Sequence, residues 1–304
     1  MSEFKVGTGG WAYFSVPNMN PLVAYSRAFD FVEVNSTFYE IPSKVLVRSW
    51  RKRVPPGFEF SVRAHRSLTH KYMLESVKEA SEILGRMVEI CGILEAEVLH
   101  LQTPPSMDIT RSKIKRIRNL FTSVNLRGVH IALEVRSDIV DPQLLRLMRD
   151  LDIIHCVDLS RQTPNVPSEI LYSRLFGKGF HNVYQFTDEE LKEIDAKTEE
   201  RGSKKTYLSF HGVKMYKDAA RFKVFKESKK FPQVTGSLGL NSLKEVLAED
   251  TKFPCSKEEL IRSQGWKLID ITAEERVRAS HLLERLSDKK YSDIQEVLHS
   301  LRSL

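Results

Sequence analysis

Short apolar runs rich in β-branched and aromatic residues recur along the first 212 residues, and longer amphipathic segments separate them. Such runs are typical of buried parallel strands, and apolar residues at helical spacing are typical of the helices between them. The pattern predicts eight strands, one near Val6 and the others ending at Asn35, Arg63, Gln102, Arg136, Asp158, Phe176 and Gly212. Eight strands alternating with helices predict an α/β fold, a (β/α)8 barrel of the TIM type.

The helices between the strands are predicted at Pro21–Phe29, Lys44–Arg53, Tyr72–Leu94, Arg111–Val124, Pro142–Leu151, Asp188–Glu200 and Lys217–Glu227. Several have a recognisable start, such as Ser43, the Asp141-Pro142 pair, and Thr187 followed by Glu190. The connection after Asp158, LSRQTPNVPS, contains two prolines and is predicted to lack a helix.

The pattern changes after Phe231. The segment PQVTGSLGLN is rich in Pro, Gly, Ser and Asn and predicts a linker, and the residues beyond it show helical periodicity again. We therefore expect a barrel domain at 1–231, a linker at 232–242 and a small α-helical domain at 243–304.

The composition is that of a globular protein, with 41% hydrophobic and 29% charged residues and a mean hydropathy of −0.32. No apolar run approaches the roughly 18 residues of a membrane span, and the N-terminus has no signal-peptide pattern. A cytoplasmic protein without a membrane partner is expected. Cys91, Cys156 and Cys255 are far apart, which argues against a zinc finger, an iron–sulfur cluster or a disulfide framework.

The net charge of +7 is unevenly distributed. The first 231 residues hold 36 Lys and Arg against 28 Asp and Glu, and the remainder holds 11 against 12. A basic first domain is compatible with an anionic partner, either a small molecule or a nucleic acid.

Polar residues fall at the carboxyl ends of the predicted strands, where a barrel of this type places its chemistry. In FVEVNSTFYEIP, residues 31–42, Glu33 interrupts an apolar run and Asn35 ends it. Glu33 and Asn35 share one face of their strand, as do Glu134 and Arg136. The strand ends together offer Trp11, Tyr13, Glu33, Asn35, Arg63, Gln102, Glu134, Arg136, Asp158, Arg174 and His211.

Two interpretations of these residues are open. Carboxylates and arginines inside a barrel must pair, because isolated buried charges are costly, so the set could be salt bridges that close the barrel. We favour a functional site, because a purely structural barrel end would not need so many costly groups.

The blocks GTGGWAYF, FVEVNSTFYEIP, PPGFEFSVRAHRSLTH, HLQTPPSM, ALEVR, CVDL and YSRLFG resemble, in order and spacing, those of the YecE-like family, domain of unknown function 72. The resemblance covers residues 5–231 and implies a TIM-type barrel without an established activity. It implies shared positions at Trp11, Glu33, Asn35, Tyr39, His70, Gln102, Glu134, Arg136, Asp158 and Arg174.

The sequence departs from this family at three places. The family usually has lysine where Arg63 stands, histidine where Phe176 stands, and an Asn-Asn pair near Phe210 and His211. Arg63 keeps the charge but removes a Schiff-base or proton-transfer role. The C-terminal part resembles a small helical domain of unknown function through FPCSKEELI and YSDIQEVL, which implies an appended module for a protein partner.

The first hypothesis is an enzyme of the hydrolase or lyase type that acts on an anionic substrate. A phosphate- or nucleic-acid-containing substrate, as for a phosphodiesterase or nuclease, and a carboxylate substrate both remain open. The arginines Arg63, Arg136 and Arg174 would bind the anion. Glu33 or Glu134 would be the general base, with His70 or Asp158 as proton partner. Trp11, Tyr13 and Tyr39 would wall the pocket, and Asn35, Gln102 and His211 would contact the substrate.

A divalent metal held by Glu33, Glu134, Asp158 and His211 is a variant of this hypothesis. The arginines would repel the cation, so no cofactor is the expectation.

The second hypothesis is a nucleic-acid-binding or scaffolding protein without catalysis. It rests on two basic runs, RSKIKRIRN at 111–119 and KVFKESKKF at 223–231, and on the helical tail. Both runs are also compatible with the solvated outer face of a barrel helix.

Overall fold

The computed structural model describes residues 3–107, 109–136 and 140–303. By contacts the chain divides into two compact units. The first comprises 1–175 and 196–211, and the second comprises 176–195 and 212–304. The predicted limits of a barrel domain, a linker and a helical domain stay a prediction.

The first unit is built on eight parallel strands, as predicted. They are β1 (Glu3–Thr8), β2 (Phe31–Val34), β3 (Glu59–Arg63), β4 (Val98–Gln102), β5 (His130–Glu134), β6 (Ile154–Cys156), β7 (Ile170–Leu175) and β8 (Lys205–Phe210). Hydrogen bonds join them in the order β6-β5-β4-β3-β2-β1-β8-β7. A parallel bridge between Val157 and Ser173 joins the two ends of this sheet, which closes the barrel.

Side chains at alternate positions of each strand fill the barrel interior. A central layer contains Phe31, Val98, Ala132, Ile154, Cys156, Ile170, Tyr172 and Tyr207. The residues two positions further along each strand form the next layer, towards the carboxyl ends. This layer includes Glu33, His100, Glu134 and Arg174, and all four are buried.

The amino ends of the strands are closed by ion pairs. Lys205 lies within 3.4 Å of the carboxylates of Glu3, Glu59 and Glu97, and Lys5 lies 2.9 Å from Glu59. The hydroxyl of Tyr207 donates to Glu59 at 2.5 Å. Because paired charges fill this end, a functional site is expected at the carboxyl end of the barrel.

The helices that follow the strands are α1 (Pro21–Ala28), α2 (Lys44–Lys52), α3 (Lys78–Leu94), α4 (Arg111–Thr122), α5 (Pro142–Asp150), α6 (Asp188–Arg201) and α7 (Met215–Ser228). The predicted start signals of three are present: Ser43 caps α2, Asp141 caps α5, and Thr187 and Glu190 bond reciprocally at the start of α6. No helix in the described ranges is both long enough and apolar enough to span a bilayer.

The helix predicted at Tyr72–Leu94 is wrong over its first six residues. A π-turn at Ser67–Lys71 precedes Met73 and Leu74, which have φ of 48° and 56°, and α3 begins only at Lys78. The left-handed backbone at Met73 and Leu74 cannot continue a right-handed helix.

The connection from β6 to β7 has no helix, as its prolines predicted. Arg201 of α6 instead donates to the carbonyls of Pro164 and Val166, and Lys197 donates to that of Leu159. This loop therefore takes the place of a crossover helix.

The second unit has its own core. The helices α8 (Leu240–Asp250), α9 (Lys257–Gln264), α10 (Ser280–Leu283) and α11 (Ile294–Arg302) pack with two small antiparallel sheets, β10 (Leu268–Asp270) with β11 (Arg276–Arg278) and β9 (Cys255–Ser256) with β12 (Lys290–Tyr291). The helices were predicted and the sheets were not. The carboxylate of Asp270 accepts from the backbone of Val234 and Thr235, which anchors the Pro/Gly/Ser-rich segment to this unit.

Candidate functional site

Arg174 of β7 is the centre of the polar layer at the carboxyl end of the barrel, and it is 1% exposed. Its Nε donates to both carboxylate oxygens of Glu33 at 3.0 and 3.2 Å. Its Nη1 donates to Glu134 at 2.7 Å and to the amide oxygen of Gln102 at 3.0 Å. A single guanidinium therefore joins strands β2, β4, β5 and β7.

Glu33 is fully buried and stays ionised. Burial alone would raise its pKa, but the charge of Arg174 outweighs burial and holds the pKa well below its ordinary value. Tyr172 donates to the same carboxylate at 2.6 Å and lies 2.7 Å from the hydroxyl of Ser61. Glu33 is therefore a fully satisfied counter-ion of Arg174.

Glu134 connects three further groups. His100 lies 3.1 Å from its Oε2, and Nε of Arg136 lies 2.7 Å from its Oε1. Burial would raise the pKa of Glu134, but Arg174 and the His100 hydrogen bond hold it well below the ordinary value. Burial and the charge of Arg174 in turn lower the pKa of His100, whose ring is stacked on Tyr172.

Arg63 of β3 differs from the other two arginines, because its hydrogen-bond acceptors are neutral. Nη1 donates to the amide oxygen of Asn35 at 3.1 Å, and Nη2 donates to that of Gln102 at 2.7 Å. Its guanidinium carbon lies 3.8 Å from the centre of the Phe38 ring. Burial and the charge of Arg174 lower the pKa of Arg63 to about 10, so it remains a cation at neutral pH.

His211 follows β8, and its ring packs closely against Gly9, which follows β1. A Cβ at Gly9 would lie 2.2 Å from Nδ1 of His211 and 2.7 Å from the amide nitrogen of Asn35. The His211 ring lies 2.9 Å from Ser209 and 3.6 Å from Glu33. Burial and the charge of Arg174 hold the pKa of His211 well below its ordinary value, which makes this imidazole neutral.

The other predicted site residues are Trp11, Tyr13, Tyr39, His70 and Asp158. Trp11 packs edge-on against Trp50 of α2, and Tyr13 and Tyr39 are 86% and 66% exposed. His70 is exposed in the π-turn with its ring edge against Phe38. The carboxylate of Asp158 accepts from the backbone and hydroxyl of Ser160, within its own turn.

Four residues of the cluster were not predicted as site residues: Ser61, His100, Tyr172 and Ser209. Each lies two positions before a predicted residue, namely Arg63, Gln102 and Arg174 of the same strand and His211, which directly follows the strand of Ser209. The period-two alternation of a strand was the signal that would have found them, because it puts both members of each pair on one face.

One group of three candidate metal ligands occurs in the described part of the chain. The ligand atoms of His100, Glu134 and Cys156 all lie within 4.8 Å of one another. However, Arg174 already donates to Glu134, and burial, together with the charge of Glu134, raises the pKa of the Cys156 thiol well above its ordinary value. A neutral thiol beside a guanidinium does not fit a divalent cation.

The two basic runs that suggested nucleic acid lie on α4 and α7. On α4, Lys113 and Arg116 pair with Glu75 and Arg118 pairs with Asp150. On α7 and the residue after it, Lys226 and Lys229 pair with Asp195. These pairs reduce the charge that either run presents, and a nucleic-acid partner stays a prediction.

The buried cluster predicts how stability depends on pH. His100 and His211 have a lower pKa in the folded protein than the value of about 6.5 in an unfolded chain. Their contribution to the free energy of unfolding is therefore complete above about pH 6.5 and is lost as the pH falls, because the unfolded chain then binds protons that the folded protein does not. Glu33 and Glu134 add a second loss below about pH 4.3 for the same reason. Urea unfolding from pH 7.5 to 3 should show both losses. The His211→Gln variant should weaken only the first, and a flat wild-type profile between pH 6.5 and 5 would contradict this assignment.

Comparison with known proteins gives a consistent result. The family described as Protein of unknown function DUF72 matches residues 5–233. A DUF72 family protein from Thermotoga maritima superimposes with a TM-score of 0.62 at 23% identity, over 74% of this chain and 100% of the other. One from Enterococcus faecalis gives 0.58 at 16% identity, over 75% and 98%. At these identities the structural likeness concerns the fold.

Other solved structures are less similar to this chain in fold and in sequence. A family 2 AP endonuclease from Brucella melitensis has a TM-score of 0.47 at 11% identity, over 75% of this chain and 99% of the other. No curated protein matches the chain. The family match covers the whole barrel and the residues of the cluster, and the resemblance predicted from the sequence blocks is confirmed. The chain belongs to the DUF72 family.

Proposed function

We propose that the protein is an enzyme of the hydrolase or lyase type that binds an anionic substrate at the carboxyl end of the barrel, with Arg63 as the anion-binding residue. The observation that carries this proposal is the neutral surrounding of Arg63. In the described ranges no carboxylate oxygen lies within 4.0 Å of its guanidinium, whereas Arg136 and Arg174 each have such a partner. Arg63 is half-buried, so the lack of a counter-ion costs free energy that a bound anion would recover.

The charges of the cluster support this assignment. Arg63, Arg136 and Arg174 are opposed by Glu33 and Glu134, both of which are held ionised. Because Glu33 and Glu134 are occupied by Arg174 and Arg136, the positive charge in excess belongs to Arg63. An anionic group of a substrate is the complement of that charge.

The hydrogen-bond donors near Arg63 support a ligand with several acceptor oxygens. The amide oxygen of Gln102 accepts from both Arg63 and Arg174, and this fixes which side of the amide carries the N–H groups. Nε of Arg63 is buried and has no acceptor among the described residues. Phosphate and carboxylate groups carry the acceptor oxygens that a guanidinium binds best.

The roles assigned from the sequence to Glu33 and Glu134 are revised in this proposal. Glu33 is engaged by Arg174, and Glu134 is engaged by both Arg174 and Arg136, so neither carboxylate is free to act on a substrate proton. His211 is a neutral imidazole held by Ser209 and Asn35, so we assign proton transfer to His211. Trp11, Tyr13 and Tyr39 would wall the pocket, and no metal takes part.

Thermal unfolding with added anions tests the proposal. Inorganic phosphate and malonate, each added at increasing concentration, should raise the Tm of the wild type, since a ligand at 100 times its Kd stabilises by about 2.7 kcal/mol. The Arg63→Gln variant should lose this response. Arg27→Gln, which removes an exposed arginine in the last turn of α1, is the matched control and should keep it. An equal rise in wild type and Arg63→Gln would contradict the assignment of Arg63.

A further inference from the structure

A second cationic surface lies on helix α2 and the turns beside it, on the outside of the barrel. Residues 41–58 contain five Lys and Arg and no Asp or Glu. Lys44 pairs with Glu89, and Arg51 donates to the carbonyls of Phe58 and Pro55. Arg48, Lys52 and Arg53 are exposed, and none has a carboxylate within 4.0 Å in the described ranges.

The cations of α2 occupy one side of the helix. Arg48 and Lys52 are four residues apart and therefore lie one turn apart on the same face. Val47 is fully buried and anchors the opposite face to the barrel, whereas Val45, which precedes Arg48 by three residues, is 75% exposed. The outer face of α2 therefore presents two unpaired cations with an apolar side chain beside them.

The turn after β2 and the loop after β3 add two exposed cations and one exposed aromatic ring. Arg66 and Lys71 are exposed in the loop after β3 and have no carboxylate within 4.0 Å among the described residues. The backbone N–H of Arg66 donates to the carbonyl of Phe38, which places Arg66 beside the turn that carries the exposed Tyr39. The Trp11–Trp50 contact joins the loop after β1 to α2.

We propose that this surface, defined by Tyr39, Val45, Arg48, Lys52, Arg53 and Arg66, binds single-stranded nucleic acid. Unpaired cations would hold phosphates, and a base would stack on the exposed tyrosine, which is how strands are held without sequence preference. An acidic peptide would use the cations but leave the aromatic ring without a stacking partner. The proposal does not depend on catalysis at the barrel mouth, because its cations take no part there and only Tyr39 also borders the pocket proposed above.

Fluorescence anisotropy with a labelled oligothymidine strand of about 20 nucleotides, long enough to cover one such surface, measures this binding directly. The wild type should bind with an affinity that falls as salt rises. The Arg48→Gln/Lys52→Gln variant should bind on the order of tenfold more weakly at 0.1 M salt, with a salt slope smaller by about 1.4, since each phosphate contact on a single strand contributes about 0.7. Tyr39→Ala should weaken binding while leaving the salt slope unchanged.

The matched control is Lys113→Gln/Arg116→Gln on α4, which removes the same charge from a basic run whose cations pair with Glu75. It should bind the strand within about twofold of the wild type. An equal loss in both double variants would overturn the assignment to α2. Wild-type binding that is absent at 0.05 M salt, or equally tight to poly-glutamate, to anionic vesicles or to a duplex, would overturn the proposal. The Arg63→Gln variant should bind the strand normally, so failure of the anion site and failure of this surface are distinguishable.

Discussion

The Arg174→Met variant should be less stable than the wild type by about 3–5 kcal/mol, because removing one partner of a buried ion pair leaves an uncompensated charge. Here the stranded charges are Glu33, which is fully buried, and Glu134. Each now has its pKa held down by Arg174, so without this arginine both would have to take up protons or break their contacts. Urea unfolding followed by tryptophan fluorescence measures the change, since Trp11 and Trp50 lie in the barrel unit.

Three further variants test this prediction. Arg174→Met combined with Glu33→Gln should recover part of the loss, since replacing both partners of a buried pair is often close to neutral. Arg161→Met removes an arginine that is 53% exposed and 3.9 Å from Asp158, and it should change stability by less than about 1 kcal/mol. An Arg174→Met protein as stable as the Arg161→Met protein would show that the cluster does not carry the charge we assign to it. If Arg174→Met does not fold, Arg174→Lys should fold with intermediate stability, because lysine keeps the charge but lacks the planar guanidinium that bonds several acceptors at once.

Replacing Gly9 by alanine should disrupt the site at the loop after β1. The new Cβ would lie 2.2 and 2.3 Å from atoms of the His211 ring, and 2.7 Å from the Asn35 nitrogen. His211 is held by Ser209 and Asn35 holds Arg63, so both must move. Such overpacking typically destabilises by about 1–3 kcal/mol. The displacement of Asn35 should also abolish the phosphate-dependent rise in Tm.

Gly57→Ala is the control for this variant, since its Cβ would have no atom within 4 Å. It should leave both stability and the response to phosphate unchanged. If Gly9→Ala and Gly57→Ala had the same stability and the same response to phosphate, the packing of His211 against Gly9 would be looser than these contacts indicate.

The sequence predicted the barrel because each strand and each helix is a local pattern. Alternation within a strand also predicted that Glu33 and Asn35 share a face with the pocket, as do Glu134 and Arg136. It could not distinguish Arg63 from Arg174, since both are single arginines in apolar strands. Their difference arises from partners on other strands: carboxylates for Arg174 and amides for Arg63.

The same reason explains what was missed on the surface. The basic runs of α4 and α7 attracted attention because they are dense in charge, but acidic residues far away in sequence pair with them. The run on α2 is no denser, yet Arg48 and Lys52 find no such partner in the described part of the chain. Pairing between distant residues cannot be read from one segment. The left-handed residues Met73 and Leu74 were missed because neither residue type favours that conformation.

If Arg63 binds an anion, a crystal soaked in selenate will show it, because the anomalous signal of selenium locates the ion. We expect a selenate with oxygens within hydrogen-bond distance of the Arg63 guanidinium and of the Gln102 amide nitrogen, and no such ion in crystals of the Arg63→Gln variant. Selenate bound only at other arginines, with Arg63 still held by Asn35 and Gln102 alone, would contradict it.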